Sequence, residues 1–194
     1  MNASPAIKPI SAEEYLAMEE TAEEKHEYYQ GEIFVMPGAT INHNTIVTNI
    51  LVEIGQFLKG KPCRVFPSDL KVHMDKNSLF TYPDISIVCG GLLTWNNRND
   101  VITNPVVLIE VLSKSTENYD RGEKFKLYRD LPSLKAYILI SSREYLVEKL
   151  TRQNEHTWTF TELKGMENHL RIESIGLDID LKEIYRDVDM QTEG

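Results

Sequence analysis

Apolar residues recur in two rhythms along the chain. In "GATINHNTIVTNILVEIGQFLKG", Ile46, Ile50, Leu51, Ile54, Phe57 and Leu58 fall three and four apart. That spacing predicts a helix of about 17 residues with one apolar face, ended by Gly60. Upstream, Ser11 and Glu14 in "SAEEYLAMEE" have the spacing of a capping box. "HEYYQGEIFVM" predicts a hairpin that turns at Gln30 and Gly31. Short β-rich runs follow: "CRVF", "LKVHM" and, after the turn-like "DKNSLF", "PDISIVC". A fourth run, "VVLIEVL", comes after the polar loop "TWNNRNDVITNP". "NYDRGEKFKLYRDL" predicts a helix with Pro132 just past its end, and "KAYILI" another buried strand. "EYLVEKLTR" and "HTWTFTELK" alternate as a closing hairpin would, "LDIDLKEIYRDV" predicts a short last helix, and the stretch 188–194, ending in "DMQTEG", is a polar tail. The order is helix, three strands, helix, strand, with a hairpin near each end. Strands separated by a helix require a parallel pair, so the expected fold is one α/β domain. It holds a mixed sheet covered by helices on both faces, in three layers, with a core at about 10–185.

Composition narrows the classes. The 194 residues are 41% hydrophobic and 26% charged, with a formal net charge of −9. Such acidity argues against constitutive coating of nucleic acid or anionic membrane, though not against a small basic site on an acidic body. No apolar stretch approaches the ~20 residues of a membrane helix, and "MNASPAIKPI" lacks the charged start and apolar block of a signal peptide. Cys63 and Cys89, 26 residues apart, have neither zinc nor disulfide-framework spacing, and a reducing cytoplasm is the expected location.

Candidate chemistry centres on Glu110, a carboxylate inside the most apolar run of the chain. A buried ionised carboxylate costs several kcal/mol unless it is compensated. Strand alternation puts Leu108 and Leu112 on the face of Glu110, and Asp84 on one face with Ser86 and Val88. In the next helix Asp120, Lys124 and Tyr128 stand four apart and form one stripe. Two carboxylates facing one way suit a hard divalent cation, Mg²⁺ or Mn²⁺, which would neutralise Glu110. The other compensation is a buried ion pair with Lys124 or Lys71.

"PD", then 25 residues, then "EVL", within that element order, resembles the PD-(D/E)XK nuclease superfamily. More narrowly, "YPDISIVC", "VVLIEVLSKSTENYDRGEKFKLYRDLPSLKAYILI" and "EYYQGEIFVMPGATINHN" resemble the Uma-two family of restriction-endonuclease-like proteins. The resemblance implies Mg²⁺- or Mn²⁺-dependent phosphodiester hydrolysis on nucleic acid, with Asp84 and Glu110 as metal ligands. The superfamily's lysine position, two after the acid, holds Leu112 here; the resemblance points instead to Lys124, and the main competitor is Lys71, on the strand expected to hairpin with the one bearing Asp84. The resemblance also matches Asp120 and Tyr128, which would orient the lysine or the substrate, and Glu27 and His43 as recurring polar positions; Glu27 either reaches the metal or pairs across its hairpin, and His43 either touches substrate or bonds locally at the helix N-terminus. Lys114, Arg121, Lys126 and Arg129 are the cations expected to hold a phosphate backbone. Analogy with duplex-cutting enzymes implies a homodimer. The rival reading is a non-catalytic interaction module that keeps the same fold.

Overall fold

The computed structural model describes residues 9–190. The first helix, α1 (Ala12–Glu19), opens on the expected capping box, with Ser11 and Glu14 each accepting from the other's main-chain N–H. Strands β1 (His26–Tyr29) and β2 (Glu32–Val35) form the predicted hairpin. At its turn Gln30 and Gly31 have φ of 50° and 94°, the left-handed pair that a two-residue hairpin needs. A Cβ at Gly31 would meet the Pro9 Cβ at 2.5 Å, so the close approach requires glycine.

The amphipathic run becomes α2 (Ile41–Leu58), capped by the Thr40 hydroxyl. Then come β3 (Cys63–Pro67), β4 (Lys71–Met74), β5 (Leu79–Thr81), β6 (Ile85–Cys89), β7 (Val101–Ile102) and β8 (Val107–Leu112). The next helix is not regular: α3 (Glu117–Tyr119) and α4 (Phe125–Tyr128) flank a π-helical turn at Asp120–Lys124. The chain closes with β9 (Ala136–Ser141), β10 (Leu146–Arg152), β11 (Trp158–Lys164), β12 (His169–Ile172), β13 (Leu177–Asp180) and α5 (Leu181–Ile184).

The central sheet has the order β11-β10-β9-β8-β6-β3. It is mixed as expected, since β8 pairs parallel with β9 and its other pairs are antiparallel. Alternation sorts its two faces. Ile85, Ile87, Ile109 and Ile138 pack against Ile46, Ile50 and Ile54 of α2 and against α5. Leu108, Leu112 and Leu139 face the other way, towards Tyr128 and Leu131. Glu110 shares that second face.

The structure departs from expectation in a second sheet, ordered β2-β1-β5-β4-β7. The excursion between β3 and β6 contains β4 and β5, and β5 pairs with the N-terminal hairpin through Tyr28↔Phe80 and Tyr29↔Leu79. So the strand carrying Lys71 does not hairpin with the strand after Asp84; it runs between β5 and β7. Val72, Met74 and Leu79 of this sheet pack onto the Leu108 face of the central one. The two sheets and the α3–α4 segment therefore enclose the space in front of Glu110. Cys63 and Cys89 are cross-strand partners in β3 and β6 and are joined as a disulfide, against the expectation from their spacing. Within the expected polar tail, Val188 and Met190 pack against the α2 core; 191–194, like the N-terminal 1–8, lie outside the described residues.

Candidate active site

Every acid in the site is placed by a different element. Glu110 projects from β8 on the face towards the second sheet and is only 4% exposed. Asp84 lies immediately before β6, beside β8: its N–H donates to Glu110 Oε2 at 3.2 Å, and its Oδ2 accepts from the Val111 N–H at 2.7 Å. His43, in the first turn of α2, brings Nε2 to 3.1 Å from the same Asp84 oxygen. Asp120 comes from the π-helical turn and Glu27 from β1.

Lys124 stands at the centre. Its ammonium is 3.0 Å from Glu110 Oε1, 3.1 Å from Glu27 Oε1 and 3.5 Å from Asp120 Oδ1, and the residue is 5% exposed. The stripe therefore forms as spacing predicted. Tyr128, one turn on, donates to Glu110 Oε1 at 2.8 Å. Three carboxylates thus gather about a single buried ammonium, with Asp84 beside Glu110. Burial pushes the Glu110 carboxyl up to about 8, against the pull of Lys124, with Asp120 and Asp84 adding to the rise. Burial likewise raises Asp120. For Lys124 burial works towards the neutral amine, but the carboxylates of Glu110 and Glu27 outweigh it and hold the ammonium well above the usual lysine range. The two directions are compatible. If Glu110 takes a proton, Lys124 still faces Glu27 and Asp120.

Some expected residues fall elsewhere. Lys71 bonds Asp100 Oδ2 at 3.0 Å in the second sheet and takes no part in the cluster. Of the expected phosphate cations, Arg121 pairs with Glu117 and Glu148 and Lys126 with Glu123, while Arg129 lines a different pocket with Lys135 and Arg152. Residues not anticipated include Thr81, at the end of β5, which donates to Glu27 and lies 3.3 Å from the Tyr128 hydroxyl. The Asp120 N–H donates to the Thr116 carbonyl at 2.9 Å. Lys25, bonded to Ser68, lines the cleft. Only the proximity of Thr81 to "YPD" marked it, because β5 is three residues long.

The cluster opens on a cleft of about 390 Å³ lined by Asp84, Glu110, Asp120, Lys124, His43 and Lys25. Among the described residues no three His, Cys, Asp or Glu side chains form a ready metal cage. The donors still fit a cation of the Mg²⁺ kind, which takes hard oxygens, needs only one or two carboxylates and keeps several waters. Asp84 and Glu110 supply two such carboxylates on the cleft wall.

Residues 12–182 match the family described as "Uma2: Putative restriction endonuclease". The chain belongs to this family. Two Synechocystis sp. (strain ATCC 27184 / PCC 6803 / Kazusa) proteins are similar to it. The uncharacterized protein slr1290 is 36% identical over 183 residues, covering 94% of this chain and 95% of that protein. The uncharacterized protein sll1609 is 34% identical over 158 residues, 81% of this chain and 89% of that one. A crystal structure of a "putative nuclease belonging to DUF820" from Anabaena variabilis ATCC 29413 superposes with a TM-score of 0.76 at 20% identity. It covers 91% of this chain and 98% of that one. That likeness establishes a shared nuclease-like α/β fold for this Uma2 member.

Proposed function

We propose that this Uma2 protein is a divalent-metal-dependent nuclease that hydrolyses phosphodiester bonds of nucleic acid. The observation that carries the proposal is the excess of buried carboxylates around Lys124, beside an open cleft. A purely structural ion pair needs one acid per base; here three carboxyl groups stand within 3.5 Å of one ammonium. Asp84 and Glu110 would hold the cation, which supplies charge neutralisation for a transferring phosphoryl group and a more acidic bound water. Lys124 is the buried cation placed to share the negative charge that develops on the phosphate. Tyr128 and Asp120 orient that ammonium and Glu110, and Glu27 with Thr81 holds it from the second sheet. His43 fixes the Asp84 carboxylate.

The saturation of Glu110 by Lys124 and Tyr128 favours the second reading, a non-catalytic module whose cluster is a structural network. Incubation with single- and double-stranded DNA and RNA, with and without Mg²⁺ or Mn²⁺, separates the two. Metal-dependent cutting by the wild type and its loss in Asp84→Ala supports the nuclease; no cutting of any substrate with either metal supports the module.

A further inference from the structure

Beside the cleft runs a second hollow of about 460 Å³ with a different character. It shares Met36, Pro37, Thr116, Asp120 and Lys124 with the cleft, so the two adjoin at the cluster. Its wall is mainly apolar, from Tyr29, Phe34, Val35, Tyr119 and Leu127. Register explains the join. Glu27 and Phe34 are directly opposed in the β1–β2 hairpin, and Tyr29 follows Glu27 by two, so all three share one face. One end of that face reaches Lys124; the other presents aromatic surface. Phe34 is 47% exposed and Tyr119 38%. The Tyr119 ring lies 5.8 Å from the Lys124 ammonium.

We propose that this apolar half is a base pocket: an unpaired nucleobase stacks on Phe34 and Tyr119 while the adjoining phosphodiester lies over Asp84 and Glu110. The inference rests on the nuclease reading and gives it a substrate class, single-stranded or locally opened nucleic acid. Charge supports this choice. An intact duplex keeps its base faces stacked inside, so it offers nothing to an aromatic pocket, and holding its backbone takes a row of uncommitted cations. Here Arg121 and Lys126 are paired with neighbouring acids, and the chain carries −9. Stacking supplies affinity that such an acidic surface lacks, and every base offers a face to stack.

The test is fluorescence anisotropy on the wild-type protein with Ca²⁺, a hard cation that also takes oxygen ligands, in place of Mg²⁺. The probes are a 12-nucleotide oligothymidine, an abasic strand of equal length and a matched duplex. The oligothymidine binds at least about tenfold tighter than the duplex. Its affinity falls about 5- to 150-fold on Phe34→Ala or Tyr119→Ala, and similarly for the abasic strand. Because the abasic strand alters the probe, the result does not depend on the folding of a variant. Equal binding of duplex and single strand, no binding of any probe, or indifference to both substitutions overturns the proposal. So does a concentration-dependent dimer that Phe34→Ala dissolves, which gives the hollow to a second copy. Cutting of duplex by the Mn²⁺-loaded wild type that Phe34→Ala leaves unchanged refutes the base pocket and keeps the nuclease. Strand binding through Phe34 without cutting by any metal-loaded wild type keeps the pocket and refutes the nuclease.

Discussion

Glu110 and Lys124 are bonded to each other, but their removal has unequal consequences. Replacing Lys124 with Met leaves Glu27, Glu110 and Asp120 buried together without a cation. Stranding buried charge in this way costs about 3–5 kcal/mol, and denaturant titration in chelator should show a loss of that size. Glu110→Gln keeps the shape, and Lys124 retains two carboxylates, so the expected change at pH 7 is under about 1 kcal/mol. A large loss in Glu110→Gln would mean that the pair is structural. The pH dependence has a definite sign. Burial raises the folded-state pKa of Glu110 to about 8. Its contribution to stability is therefore fully present below the ordinary carboxylate range and is lost as pH rises through about 8. In chelator the wild type should lose more than about 1 kcal/mol between pH 5 and 9, and Glu110→Gln should show a flatter curve. A wild-type stability that rises over that window contradicts the assignment.

At the scale of elements, the hairpin β1–β2 delivers Glu27 to the cluster and Phe34 to the hollow, so its turn matters at a distance. Gly31→Ala combines an unfavourable φ with a contact against Pro9. It should lower stability by about 1–3 kcal/mol, read from thermal melts, and an unchanged melting temperature would show that the turn is not under this constraint. The hairpin was legible because a two-residue turn between alternating strands is a local signal. So was α2, from its spacing of three and four, and so were the face shared by Glu110 and Leu112 and the stripe through Asp120, Lys124 and Tyr128. The second sheet was not legible. Strand β5 has three residues and β7 two, too few for a rhythm, and β1 meets β5 across some fifty residues of chain. Lys71 was misplaced for that reason, and the bridge between Cys63 and Cys89 depends on the same excursion returning β6 to the side of β3.

At the scale of the whole molecule, the site lies between two sheets, and neither makes it alone. The central sheet gives Glu110 and the residue before β6; the second sheet gives Glu27 and Thr81; the irregular helix between β8 and β9 gives Asp120, Lys124 and Tyr128. That a divalent cation joins this acidic cluster is the central proposal. Calorimetric titration of the wild type and Asp84→Ala with Mn²⁺ at pH 7 tests that most directly. The account predicts one binding event per chain in the wild type and its loss in Asp84→Ala, with both proteins folded by circular dichroism. Equal binding by the two proteins, or none by the wild type, would contradict it.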